Sequence, residues 1–171
     1  MAARKGSKTA ASHRAGSRTA APARRLTHGE YVVYPGGPTA IYDLLERLAA
    51  AAGDSPDFGT PGISLDRTRL TVRWFGELPA PVQTVLADHP GFEVAVRSTE
   101  FRPGELRAEA ARLADEHGDL LAAATARPEG DGIEVLIPPT VAAAAGGAER
   151  AVANVPSAFP LFPEIGEASM A

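Results

Sequence analysis

Ile63-Ser64-Leu65-Asp66-Arg67-Thr68-Arg69-Leu70-Thr71-Val72-Arg73-Trp74 changes phase in its middle. Ile63 and Leu65 hold odd positions, whereas Leu70, Val72 and Trp74 hold even ones. One continuous strand would send the two sets to opposite faces, because strand side chains alternate with a period of two. A hairpin turning through the polar run Asp66 to Arg69 brings both sets onto one core and leaves Thr71 and Arg73 pointing outward. The run is therefore read as two strands.

Downstream, Pro79 and Pro81 sit where a helix begins, a place that tolerates a missing N–H. Leu78, Val82, Val85 and Leu86 form its apolar face, and His89-Pro90-Gly91 stops it. Phe92, Val94 and Val96 then alternate with Glu93, Ala95 and Arg97, which predicts a strand with one buried face. Pro103 opens a second helix with the stripe Leu106, Ala110, Leu113 and Ala114, ended by Gly118. Its outer face mixes Glu105, Arg107, Glu109, Arg112, Asp115 and Glu116, which suits a solvated surface. Leu120 to Arg127 and Ile133 to Ile137 read as a closing hairpin, with Asp131-Gly132 as a favourable turn pair.

Upstream, Tyr31 to Tyr34 is a short extended segment ended by Pro35-Gly36-Gly37-Pro38. The Gly pair lacks the lysine and hydroxyl of a phosphate-binding loop. Ile41, Leu44, Leu45, Leu48 and Ala52 recur at helical spacing, with Thr39 as cap and Gly53 as stop. Residues 54–62 are a linker by composition. After Pro138-Pro139, an Ala-rich stretch to Val152 reads as a weak helix interrupted by Gly146 and Gly147. The Pro-rich end, with Phe159, Leu161, Phe162 and Ile165, is expected to strap across the body rather than leave large apolar residues exposed.

These elements assign residues 1–26 to a disordered basic arm and 27–62 to an extended segment, amphipathic helix and linker. Residues 63–137 form an α/β module, and 138–171 an Ala/Pro-rich tail. The fold class is α+β: a small mixed or antiparallel sheet with two covering helices in the order ββαβαββ, an extra N-terminal helix and flexible tails.

Charge is distributed unevenly. The 171 residues carry a net charge of -4, yet seven of the 17 Lys and Arg residues lie in residues 1–25, which contain no acid. Ten basic residues then face 21 acidic ones in the rest. Arg4, Lys5, Lys8, Arg14, Arg18, Arg24 and Arg25 make a candidate phosphate-contacting arm, the basis for an alternative reading as a nucleic-acid-associated or phage structural protein. No aromatic is interleaved there to stack on a base, which favours a solubilising tail, an arm docked on the acidic body or a start codon assigned too early. The Ala, Gly, Arg and Pro bias fits a GC-rich bacterial or phage coding sequence. No run approaches the roughly 18 apolar residues of a membrane span, and no secretory signal is recognisable, so no membrane partner and a cytoplasmic location are expected.

Chemistry is sparsely represented. The sequence has no Cys, which removes thiolate nucleophiles and cysteine metal sites. Its four histidines are His13, His28, His89 and His117; the last two fall at helix C-termini, where a cationic side chain favours the dipole. Zinc-hydrolase spacing and the Gly-x-Ser-x-Gly elbow are absent. No catalytic residue, cofactor or metal is expected, and a small hydrolase or transferase is the least favoured alternative.

Four segments together resemble a known family. They are Ile63 to Trp74, Gly76-Glu-Leu-Pro-Ala-Pro-Val82, Phe101-Arg-Pro-Gly-Glu-Leu-Arg-Ala-Glu-Ala110 and Gly130-Asp-Gly-Ile-Glu-Val135. Over residues 63–137 the chain resembles the pro-region modules of actinobacterial chymotrypsin-like serine proteases and related orphan proteins. That resemblance implies a small α/β unit without chemistry of its own that binds a protease by augmenting its β-structure. No protease sequence follows Ile137, and Arg102 stands where a Ser or Thr cap is preferred. The expected function is a non-enzymatic protein-binding or assembly module, with a protein partner or self-association. An exposed strand edge or an uncovered sheet face, with Thr71, Arg73, Glu93 and Arg97 on that face, is the candidate surface for strand addition.

Overall fold

The computed structural model of the chain describes residues 26–28, 31–33, 39–88 and 91–167. In a unit spanning Met1–Gly37, β1 (Leu26–His28) pairs antiparallel with β2 (Tyr31–Val33), Leu26 opposite Val33 and His28 opposite Tyr31. The extended segment read at Tyr31 is thus one arm of a hairpin. Of the arm assigned to residues 1–26, Leu26 is the first residue of β1, whereas residues 1–25 and the helix stop at His89-Pro90 lie outside the described residues.

The second unit, Pro38–Ala171, uses one order of elements twice. Its first round is α1 (Thr39–Ala52), β3 (Gly62–Ile63), β4 (Arg69–Trp74), α2 (Ala80–Ala87) and β5 (Glu93–Ser98). The second is α3 (Pro103–Glu116), β6 (Ala123–Ala126), β7 (Ile133–Ile137), the broken crossover α4 (Pro139–Ala145) and α5 (Ala148–Val152), and β8 (Leu161–Ile165). In each round a helix leads into an antiparallel pair, and a helical crossover returns the chain parallel to that pair's second strand. A parallel neighbour cannot be reached by a tight turn, so the crossover is required.

The fold is α+β, and the expected order ββαβαββ runs from β3 to β7. Its strands divide between two three-stranded mixed sheets, β3-β4-β5 and β6-β7-β8. The second is completed only by β8, so the strapping expected of the C-terminal segment takes the form of strand pairing. Gly146 and Gly147, with φ of 80° and 133°, split the Ala-rich stretch into α4 and α5.

Each sheet buries one face. Leu70, Val72 and Trp74 of β4 pack with Ile41, Leu44 and Leu48 of α1 and Val82 and Leu86 of α2. Ile133, Val135 and Ile137 of β7 pack with Leu106, Ala110 and Leu113 of α3, joined by Ala142 and Val152. A fully buried Leu, Ile or Val contributes about 1.5–3 kcal/mol, so these two clusters are the main source of stability. One expectation needs correction. Ile63 pairs with Leu70 and packs on the core, but Leu65 is 89% exposed. The strand ends at Ile63, and the turn begins early because the Ser64 Oγ accepts hydrogen bonds from the Thr68 and Arg69 N–H groups. Leu65 therefore lies inside the turn.

The stretch 54–62, a linker by composition, is bonded along its length to both rounds. The Gly104 N–H donates to the Pro56 carbonyl at 2.7 Å, satisfying a free donor of the first turn of α3. Arg102, standing where a Ser or Thr cap is preferred, pairs with Asp57 at 2.7 Å and with Glu105 at 3.3 Å. Arg107 donates to the Phe58 carbonyl and Arg73 to that of Thr60. Farther along, the Phe101 N–H donates to the Gly130 carbonyl, where a Cβ on Gly130 would sit 2.4 Å from the Thr99 side chain.

A second tie holds the approach to β8. Arg112 makes a bidentate pair with Glu109 at 2.8 Å and donates to the Pro156 carbonyl, while the Ala158 N–H donates to Glu109. The Arg112 guanidinium, assisted by Ala158 and Ser157, holds the Glu109 carboxyl at about 2, below its ordinary 4.5 and against the opposing effect of burial.

Two predictions follow from these contacts. Gly130→Ala should lower stability to denaturant by at least about 2 kcal/mol. Gly91→Ala, equally left-handed at φ 87° but facing open space, should cost about 1 kcal/mol, so equal losses would remove the packing argument. The stability that Glu109 contributes is complete above about pH 4.5 and is lost as pH falls through about 2. Glu109→Gln should cost about 2 kcal/mol at neutral pH, after allowing for the solvent access of Arg112. The difference from wild type should shrink as the medium is acidified; a constant difference would contradict the assignment.

Candidate functional site

The open edge of β5 is where this fold leaves backbone groups uncommitted. Among the described residues β5 pairs only with β4, in parallel register from Arg69 opposite Glu93 to Trp74 opposite Ser98. The Glu93 N–H donates to the Thr68 carbonyl and the Thr99 N–H to that of Trp74. Strand alternation places the amides of Ala95 and Arg97 on this same inward side. Those of Val94, Val96 and Ser98 consequently point to the open edge. Val96 is 44% exposed although its opposite number, Val72, is fully buried.

The corresponding edge in the second sheet is treated differently. The Gly166 N–H donates to the Ile137 carbonyl, so in β8 the even-numbered residues face inward and Pro163 faces out. Pro163 lies opposite Val135 as Val96 lies opposite Val72. A proline there removes the outward donor at no cost to the ladder, a standard way of blunting an edge. The β5 edge is six residues long and has no proline.

The four residues expected to form a binding face do share one. The parallel register sets odd positions of β4 beside odd positions of β5, Thr71 next to Ala95 and Arg73 next to Arg97. Core packing lies wholly on the other side. Their availability differs. Arg73 is held by the Thr60 carbonyl, with Glu129 3.9 Å away, and a Cβ on Gly59 would lie 2.9 Å from the Arg73 Cβ, so loop 59–62 covers it. Thr71 is half-buried, and Glu93 is paired with Arg69 at 2.9 Å. Arg97 is exposed and has no carboxylate partner among the described residues.

The residues weighed for other chemistry do not come together. His13 and His89 lie outside the described residues, and His28 is in β1. His117 occupies the C-cap of α3, with its backbone N–H on the Leu113 carbonyl and its buried Nε2 without a partner among the described residues. A cleft between the two rounds is lined by Gly59, Thr60, Pro103, Arg107, Arg127 and Gly130, among others, none of them His, Asp or Glu. Its arginines are engaged, Arg107 by the Phe58 carbonyl and Arg127 by Asp131 while stacked 4.1 Å from the Phe162 ring centre. Among the described residues no group of three His, Asp or Glu could hold a metal, and no helix is long and apolar enough to cross a membrane.

Comparison with protein-family models, curated proteins and solved structures found no match to this chain. The site therefore rests on geometry. Reading the sequence located the outer face but not the outward amides, because alternation shows which side chains share a face and not which neighbour the backbone bonds to. The contrast between Pro163 and the proline-free run Glu93 to Ser98 was the available signal.

In dilute solution, residue-resolved hydrogen exchange of the full chain should show Val94, Val96 and Ser98 exchanging faster than Ala95, Arg97 and Thr99. Uniform protection along β5 would mean that its outer edge is already covered.

Proposed function

We propose that this chain is a non-enzymatic protein-binding or assembly module that accepts an extended segment on the open edge of β5. The observation that carries this reading is the proline-free edge, with the outward amides of Val94, Val96 and Ser98 beside the exposed Val96 side chain. In strand addition, main-chain hydrogen bonds supply affinity and alternate side chains supply specificity. Here Val94 and Val96 would meet the partner on the core side of the sheet, and Glu93 and Arg97 on the outer side. The resemblance of residues 63–137 to pro-region modules, which act through β-structure, supports the same mode.

Extended peptides selected from a display library on the full chain should protect the amides of Val94, Val96 and Ser98 from exchange. Val96→Pro should weaken them by about tenfold or more, because it removes an outward donor and keeps the inward ladder, as Pro163 does in β8. Peptides that bind Val96→Pro as well as wild type, or that protect a different element, would rule the edge out.

A further inference from the structure

Resting on that reading, we propose that the segment accepted at the β5 edge is β5 of a second copy of this chain, paired antiparallel about a two-fold axis at Ala95. In this register Glu93 lies opposite the second copy's Arg97, Val94 opposite its Val96, and Ala95 opposite Ala95. The sequence Glu93-Val94-Ala95-Val96-Arg97 is complementary to its own reverse in charge and in shape.

The backbone agrees with this register. An antiparallel pair alternates hydrogen-bonded with non-hydrogen-bonded positions, and only the former exchange both N–H···O bonds. Val94 and Val96 carry the outward amides, so each Val94 and the opposing Val96 become a hydrogen-bonded pair. Ala95 with Ala95, and Glu93 with Arg97, then fall at non-hydrogen-bonded positions, where side chains approach more closely. The small Ala95 side chain suits the axis, where two identical residues meet.

The side chains select the same register. Arg97 has no carboxylate within its own chain among the described residues, while Glu93 is exposed and already directed along the outer face by Arg69. Across the axis each Glu93 lies between Arg69 of its own chain and Arg97 of the other, and the partial exposure of Val96 is covered by Val94. Sliding the pairing by two residues either way sets Arg97 against Ala95 or Glu93 against Ala95, and both ion pairs are lost. Oppositely charged cross-strand pairs stabilise, and like charges placed opposite destabilise. The product is a continuous six-stranded sheet with an isologous interface. One strand pair buries less than the roughly 1,200 Å² of tight complexes, so association is expected to depend on concentration.

The test is sedimentation of the full chain from micromolar to millimolar concentration. Wild type should form a reversible dimer whose appearance coincides with protection of the Val94 and Val96 amides. Glu93→Arg and Arg97→Glu should each abolish it, since each places like charges opposite one another. An equimolar mixture of the two variants should recover dimer, as should the double variant Glu93→Arg/Arg97→Glu. Val96→Pro should sediment as a folded monomer, with its fold checked by circular dichroism. A wild type that stays monomeric while selected peptides still protect β5 would overturn the second-copy assignment and leave strand addition standing. A dimer indifferent to Val96→Pro would overturn the edge as its site, and a dimer lost in both single variants but not recovered on mixing would overturn the register.

Discussion

The burial of Leu70, Val72 and Trp74 against α1 and α2 is the constraint from which the site follows. Three large apolar side chains on alternate positions leave β4 one way to face its helices, since a one-residue slip would turn all of them outward. With that face fixed, the crossover through α2 sets β5 beside β4 with Leu70 against Val94 and Val72 against Val96. The register then decides which amides of β5 are consumed by β4 and which remain. The chemistry of the edge is thus inherited from a core to which the outward amides do not belong.

The doubling of the α-β-β-α-β order gives an internal control on that inference. Both rounds bury three alternating residues of a central strand under helices and end in a parallel edge strand. In β8 the position opposite the buried valine is Pro163, and in β5 it is Val96. One architecture therefore shows both states of the same edge, blunted and open. The difference lies in the edge residue and not in the scaffold, which makes a folding explanation for the open edge unnecessary.

Much of the fold was legible because periodicity is a local signal. The stripes of α1 and α3, the proline-led start of α2 and the alternation in β4, β5 and β7 appear where expected. The hairpin inferred from the phase break is present, although its turn starts at Ser64 and strands Leu65 in solvent. The division into two sheets was not legible, since a strand's pattern does not say which neighbour it joins. The role of 54–62 was hidden for a related reason. Its Pro, Gly and Ser content signals irregular backbone, and the carbonyls of Pro56 and Phe58 that receive bonds from the second round, like that of Thr60 that receives one from Arg73 of the first, carry no side-chain signature. The candidate face was found by alternation, but Arg73 could not be seen to be occupied by that same loop.

An open edge is a hazard unless its pairing terminates, because a sheet exposing two usable edges can grow without limit. Among the described residues the first sheet has one. Among the described residues its other margin is β3, two residues long and preceded by Pro61, with Phe58 bridging to Trp74 on the same side of β4. Antiparallel pairing of two β5 strands consumes the usable edge of each copy and leaves these short margins outermost. Such an interface closes on itself, and the same geometry that offers the amides limits the assembly to two. The charges at Glu93 and Arg97 add a second restraint: a parallel in-register stack would place each beside its own kind, whereas the two-fold pairing alternates them. In the proposed pairing, short opposite margins, a central alanine and opposite charges two residues to either side are together the features that would turn an edge from a template for growth into a site for one partner.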